Sequence, residues 1–482
     1  MTDTDEPDPR RWVALSVCCC ALFMTLLDVS VTNVALPSIG TSTGASPAML
    51  QWVVSGYTLS FGLVPVLGGR LGDDHGRRTM FMIGVGGFVV TSVLAGVSPG
   101  PGLLVGARVL QGLFGGLINP QVAGIVQQLF RGSERGKAFG ALGSVVGLGT
   151  ALGPVVGGLV IAAGGEEFGW RLVFFINAPI GVAVMLLARK WVPGTAATGR
   201  HRLDVAGAVL LGLATFCVLF AAVEYDALRN AALAWLLVPC AIFLTVFIRR
   251  EARLTRRRAD PLVDLRLFRR PSYASGVALA IVFFASMTGI PLVLALYYQQ
   301  GLGYSALQSG LGVTAAAAGA VLMAPLAGRV VTRVGRPLVV GGCLVFGVGA
   351  AGLAVLMRGT PESNVALLLA VPLFITGLGQ GAVITPNQTL TLSNVDPAAG
   401  STAAGVLQTS QRIGSAIGQA VIGAAFFIAV PAGARGLSGQ ARYDAYGDAF
   451  GQAIVVSLCF ALAALVVGIV DLLRGRAGRA GA

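Results

Sequence analysis

The chain has 482 residues, of which 55% are hydrophobic and only 11% charged, with a net charge of +13 and a mean hydropathy of +0.80. Water-soluble domains carry about 25% charged residues, so this surface cannot be one that faces water throughout. High apolar content excludes a disordered chain, and seven scattered cysteines exclude a disulfide scaffold. Its long apolar runs, such as 205–223 and 453–470, do not alternate polar and apolar residues as a membrane barrel would. The expected class is therefore an all-α polytopic membrane protein.

In chain order, apolar stretches bounded by charge or turn residues predict spans over 12–36, 48–70, 79–98, 102–129, 137–163, 170–192, 204–223 and 229–249. After a basic loop come 273–298, 305–330, 337–357, 364–390, 400–430 and 449–473, fourteen in all. The first span is too long for a signal sequence, and no small-residue cleavage site follows it. Lys and Arg set the orientation. With a cytoplasmic N-terminus, Arg171, Arg229, Arg358, Arg435 and Arg442 fall on the far side and Arg108 and Arg412 inside spans; the rest of the 34 lie in the cytoplasm. Both termini are then cytoplasmic, and the basic loops face anionic lipid rather than nucleic acid. Cys18, Cys19, Cys20, Cys217, Cys240, Cys343 and Cys459 all fall in spans, without histidine neighbours, and read as packing residues.

Gly69-Arg70-x5-Gly76-Arg77 after the second span is echoed by Gly328-Arg329-x5-Gly335-Arg336 after the tenth. Asn119-Pro120-Gln121 in the fourth span pairs with Pro386-Asn387-Gln388 in the twelfth. These echoes map the first six spans onto the last six and leave two as an insert: a six-helix bundle over 1–198, an insert over 199–250, a basic loop over 251–272 and a second bundle over 273–482. Parallel repeats of this kind place a substrate site near the midplane.

Charges at mid-bilayer cost roughly 2.5–3.5 kcal/mol, so Asp28 and Arg108 must face an interior. Asp28 shares a helix face with Thr25 and Thr32, and Arg108 shares one with Gln111 and Gly115. They form either a proton-coupling pair or an ion pair that fixes helix packing. Polar stripes recur in the second span (Gln51, Ser55, Thr58, Gly62) and the thirteenth (Ser401, Gly405, Gln408, Arg412, Ser415, Gln419). Such stripes either line a cavity or join helices. Thr32, Gln51, Ser55, Gln111, Asn119, Gln121, Gln380, Asn387, Gln388, Gln408 and Arg412 are the candidate lining. Gly149, Gly153, Pro154, Gly157 and Gly158 predict a bent, closely packed fifth helix. Asp73, just before the third helix, is placed to hold free amides at a positive helix end, and Arg77 and Arg78 to bridge to a neighbouring helix.

Residues 27–37 (Leu27-Asp28-Val29-Ser30-Val31-Thr32-Asn33-Val34-Ala35-Leu36-Pro37), the loop from Gly69 to Arg78, Arg108-Val109-Leu110-Gln111-Gly112 and the 149–158 segment together resemble the motif set of the major facilitator superfamily. More narrowly they resemble its fourteen-span drug/proton antiporter branch, two six-helix bundles with two additional central helices. The resemblance implies a drug and antibiotic exporter in the bacterial cytoplasmic membrane. It makes Asp28 the proton-responsive carboxylate with Arg108 as its partner, and Gly69, Asp73, Gly76, Arg77 and Arg78 a conformational latch. Gly149, Gly153, Pro154, Gly157 and Gly158 would be the antiporter motif that seals the cavity against proton leak. An exporter of this kind is not an enzyme, needs no cofactor or metal, and acts as a monomer among membrane lipids on protons and a small amphipathic substrate. No phosphate-binding loop of the G-x-x-x-x-G-K type is present, so ATP does not drive it.

Two departures stand out. The later spans are expected to hold no deeply embedded acid, the last one carrying Asp471 only at its cytoplasmic end, and Glu224 and Asp226 lie at the outer end of the seventh, which leans the substrate away from dications. Thr332 replaces the latch aspartate in the second copy, which should weaken it. The competing expectation is a proton-coupled uptake symporter for a small nutrient, which should lack the Gly-Pro antiporter motif. Substrate identity is not encoded in any of these motifs.

Overall fold

The structure, a computed structural model, describes residues 9–194, 204–228, 235–257, 259–356, 365–431, 434 and 437–480, and every regular element among them is helical. The order is α1 (Arg11–Thr43), α2 (Pro47–Leu63), α3 (Pro65–His75), α4 (Arg77–Gly96), α5 (Pro101–Leu129), α6 (Gly132–Phe175), α7 (Asn177–Trp191), α8 (Val205–Leu228) and α9 (Leu237–Arg256). Then come α10 (Pro271–Leu296), α11 (Ala306–Val334), α12 (Arg336–Leu356), α13 (Val365–Leu392), α14 (Gly400–Ala429) and α15 (Gly439–Ala480). Helices follow from the solvent: inside lipid each backbone N–H and C=O needs an internal partner.

Eleven spans among the described residues are long and apolar enough to cross a membrane, and α2 with α3, bent by 47°, makes a twelfth. The bend falls where Pro65 opens α3, since proline leaves the preceding turn without a backbone donor. Of the two insert segments, Val205–Ala221 is a shorter apolar helix, and α9 ends in a charged run from Arg249 to Arg256. Twelve of the fourteen expected spans thus reach full length and hydropathy. The fifth and sixth are separate spans, Gly132–Gly165 and Phe168–Trp191, parted by the non-helical Gly165 within α6.

By contacts the chain divides into two compact units. One comprises Met1–Phe216, Cys240–Leu267 and Leu392–Thr409; the other comprises Cys217–Pro239, Phe268–Thr391 and Ser410–Ala482. In the first unit, α1 packs along α6, and α5 is flanked by α2 and α4. Its core holds Leu27, Val31, Ala35, Val53, Ala107, Trp170 and Phe174. In the second, α10 and α12 pack on α15, with Phe283, Phe346, Tyr297, Phe426 and Phe450 in the core. At the two echoed positions Gly76 and Gly335 cap α3 and α11 at φ +98° and +70°, which a residue with a Cβ rarely adopts.

Candidate functional site

Asp28 lies near the middle of α1, 1% exposed, and Arg108 of α5 is equally buried. Neither could stay there ionised without a partner. Arg108 Nη1 reaches Asp28 Oδ2 at 2.6 Å and Gln111 Oε1 at 2.6 Å, and its Nε donates to the Val53 carbonyl at 3.1 Å. Gln111 Nε2 donates to Asp28 Oδ1 at 3.1 Å. A fourth member enters from α7: Asn177 Nδ2 donates to the same Oδ1 at 2.7 Å and to Ser92 Oγ at 2.9 Å. The Arg108 guanidinium also stacks over Tyr57, 4.2 Å from the ring centre, a favourable cation–π placement.

The structure brings together Asp28 and Arg108, the two charges expected to face an interior, with Gln111, expected on the Arg108 face. Sequence spacing missed Asn177, Ser92 and Tyr57. The lone amide of Asn177 in the otherwise apolar 173–184 run was the available signal. Of the other two residues on the Asp28 face, Thr25 bonds its own helix at the Leu22 carbonyl, while Thr32 is buried with no partner for its hydroxyl.

The glycine-rich face of α6 lies against α1 on both sides of Asp28. A Cβ at Gly149 would come within 2.8 Å of Leu26, one at Gly153 within 2.0 Å of Ser30 Oγ, and one at Gly157 within 3.1 Å of Val31. Ser30 Oγ donates to the Thr150 carbonyl at 3.3 Å. Pro154 lies inside this helix. Gly158 is exposed and has nothing near its missing Cβ, so it takes no part in this contact.

The latch residues also meet. Asp73 sits in the last turn of α3 and holds amides of a different helix from the one expected. It accepts from the Ser401 and Thr402 backbone at 3.2 and 2.8 Å and from Thr402 Oγ1 at 2.8 Å. Those amides begin α14, a positive helix end. Arg77 Nη2 reaches Asp73 at 2.8 Å and also the Pro397 carbonyl, Nε donates to Asp73 at 3.2 Å, and Nη1 donates to the Gly124 carbonyl at 2.9 Å. Arg78 donates to the Val192 carbonyl at 3.3 Å. Gly69 is required here, because its Cβ would lie 2.3 Å from the Ser401 carbonyl oxygen.

The second copy is built differently. Arg336 pairs with Asp471 of α15 and donates to Asn387 Oδ1 at 3.0 Å and the Ser272 carbonyl at 2.6 Å. Thr332 therefore does not leave this arginine without an acid. Asp471, 8% exposed, corrects the expectation of no embedded acid in the later spans. The side chains of Glu224 and Asp226 lie outside the described residues, as do Arg229, Arg358 and Arg435.

The remaining lining candidates divide. Gln121 is fully buried and donates to the Gly68 carbonyl at 2.7 Å, and Asn387 Nδ2 donates to the Gly276 carbonyl at 2.9 Å; both tie helices together. Ser55 is buried, whereas Gln51, Asn119, Gln380, Gln388, Gln408 and Arg412 are half-buried. The lower thirteenth-span stripe is packing surface, for a Cβ at Gly405 would lie 2.2 Å from the Pro65 carbonyl oxygen.

Apolar spanning helices around an interior charge pair, with close-packed glycines beside it, are the build of a multi-pass membrane transporter. Residues 18–419 match the Major Facilitator Superfamily, and the chain belongs to that superfamily. It is 40% identical over 424 residues to a probable actinorhodin transporter of Streptomyces coelicolor, covering 87% of this chain and 73% of that one. A puromycin resistance protein of Streptomyces alboniger is 34% identical over 422 residues, covering 86% and 82%. Among solved structures, the human organic anion transporter MFSD10 superposes with a TM-score of 0.67 at 14% identity, covering 96% of this chain and all of that one. The last likeness is one of fold.

Proposed function

We infer that the protein is a proton-driven antiporter that exports amphipathic small molecules of the drug and antibiotic kind across the bacterial cytoplasmic membrane, with both termini in the cytoplasm. The observation that carries this reading is the closed Asp28–Arg108–Gln111–Asn177 network. Asp28 accepts three donors as a carboxylate. A proton on Oδ2 competes with Arg108 for that oxygen, and Arg108 has other partners ready in Gln111, the Val53 carbonyl and the Tyr57 ring. Proton loading and movement of α5 against α1 are thereby one event, which is what coupling requires. The relatives named for actinorhodin and puromycin support a drug-like substrate, and the glycine face of α6 supports export over uptake. A membrane potential adds about 2.3 kcal/mol per charge per 100 mV, enough for concentrative export with one proton per cycle.

A growth-inhibition screen in a pump-deficient host, beginning with puromycin and actinorhodin, identifies the substrate. With that substrate in proteoliposomes, Asp28→Asn should abolish substrate-dependent proton release; undiminished coupled release rejects the assignment. Inside-out vesicles with an acidified lumen should accumulate the substrate, whereas an uptake symporter would not.

A further inference from the structure

The insert ends in a buried acid pair that the coupling network leaves unused. Asp204 precedes α8, and its Oδ1 accepts the Gly207 amide at 2.9 Å, capping the helix. Arg250 of α9 grips the same carboxylate through Nε at 2.9 and 3.0 Å and through Nη2 at 2.8 Å. The next residue, Glu251, lies past the apolar part of α9 and is 0% exposed. Its Oε2 accepts the Val263 amide at 3.1 Å, which fastens the 260–263 segment after α9.

Its other oxygen, Oε1, is buried and meets no donor. It points at Asp204: a Cβ built on Gly207 would lie 2.5 Å from Asp204 Oδ2 and 2.8 Å from Glu251 Oε1. Two carboxyl groups converge over that glycine, with Arg250 already committed to one of them. Both cannot stay ionised out of water. One proton between them replaces oxygen–oxygen repulsion with a hydrogen bond.

We propose that Asp204 and Glu251 form a second proton-binding site, distinct from Asp28, whose occupancy sets how firmly the 260–263 segment docks. Leu262 and Val263 pack with Phe247 against Val66 of α3, and Val406 of α14 joins the same cluster. Val66 is on the helix that carries Gly69 and Asp73, and Val406 on the helix whose first amides Asp73 holds. The site therefore stands directly behind the latch.

Burial, and then the Asp204 charge, pushes Glu251 up to about 7 against the lowering effect of the Val263 amide. Burial also raises Asp204, but the Arg250 and Gly207 hydrogen bonds outweigh it and hold that carboxyl below its usual range. Glu251 therefore carries the proton. Asp204 and Arg250 are the charged groups acting on it. From the other elements, α3 presents Val66 and Leu67, its Arg70 paired with Asp74. Residues 205–216 and 400–409 carry no charge. Asp260 and Asp264 flank the docked pair, and Asp264 takes the Arg266 amide. The sign follows: an acid raised in the docked state favours docking at low pH. That advantage falls as pH rises from the ordinary 4.5 to about 7 and is flat above.

The test uses the full chain in lipid nanodiscs. Infrared difference titration should show a protonated carboxyl lost with a midpoint near 7 in the unmodified protein and in Asp28→Asn, and missing from Glu251→Gln. Hydrogen-exchange protection of 260–263, corrected for intrinsic rate, should fall about tenfold from pH 6 to pH 8, the slope approaching one decade per unit of pH below the midpoint and vanishing above it. It should be independent of pH in Glu251→Gln. Asp204→Asn removes the like charge and should move the midpoint down, which decides the matter if Glu251→Gln does not fold. A titrating band that survives Glu251→Gln, an unmoved midpoint in Asp204→Asn, or protection that ignores pH overturns the proposal. Because Asp28→Asn leaves this titration intact, failure here and failure of the coupling assignment are read separately.

Discussion

Asn177 is held from two sides, donating to Asp28 and to Ser92, whose own hydroxyl donates to the Phe174 carbonyl at 2.8 Å. It therefore positions the carboxylate rather than merely filling space. A hydrogen bond to a charged group is worth about 1.5–3 kcal/mol, so Asn177→Leu, similar in size but without a donor, should lower stability by about that amount and reduce coupled transport. Arg108→Lys should be worse. One ammonium lacks the fork needed to reach Asp28, Gln111 and the Val53 carbonyl together. Thr25→Val should change little, since that hydroxyl serves only its own helix. Thermal denaturation in detergent and proton-coupled flux in proteoliposomes check all three. Asp28 and Arg108 were legible in the sequence because a charge in an apolar run has to be answered, and helical spacing put Gln111 beside Arg108. Asn177 was not, because an amide declares its role only through its partner, here 149 residues away. Tyr57 was hidden for the same reason.

At the scale of elements, the 149–158 motif is legible as a close-packed helix, but its members are not equivalent. Gly153 faces α1, while Gly158 faces away from it. A Cβ at Gly153 would press on the Cβ of Ser30 at 2.2 Å and on its Oγ at 2.0 Å, so Gly153→Ala must push α6 off α1 beside Asp28. Overpacking of this sort costs about 1–3 kcal/mol. Transport should fall several-fold with expression retained, and Ser30→Gly added to Gly153→Ala should recover much of it. Gly158→Ala should be silent. Proton leak measured without substrate, alongside flux, separates a loosened seal from simple misfolding. The insert was less legible than the twelve longer spans. An apolar run such as 205–223 satisfies a length count, but α9 mixes its apolar turns with Arg249, Arg250, Glu251 and Arg253. Its charges are read only once Asp204 and Val263 are seen to answer them.

For the molecule as a whole, the two repeats share a turn and an arginine but differ in what answers it. Arg77 takes Asp73, four residues earlier on the preceding helix, whereas Arg336 takes Asp471 from α15. The echo Gly-Arg-x5-Gly-Arg was visible in the sequence; the replacement acid was not, because it lies 135 residues further on. The consequence is testable by moving the acid. Asp471→Asn leaves the half-buried Arg336 with only Asn387 and the Ser272 carbonyl, and breaking a fully buried pair costs about 3–5 kcal/mol, an upper bound here. The denaturation midpoint should drop by several degrees. Position 332 stands to Arg336 as 73 stands to Arg77, so adding Thr332→Asp rebuilds the first-repeat arrangement in the second. If the repeats are equivalent at the backbone level, the double variant should regain a large part of the lost stability, and Thr332→Asp alone should gain little because Arg336 is already satisfied. No recovery would mean that α11 does not present residue 332 to Arg336 as α3 presents Asp73, and that the two halves share a sequence pattern without sharing its geometry.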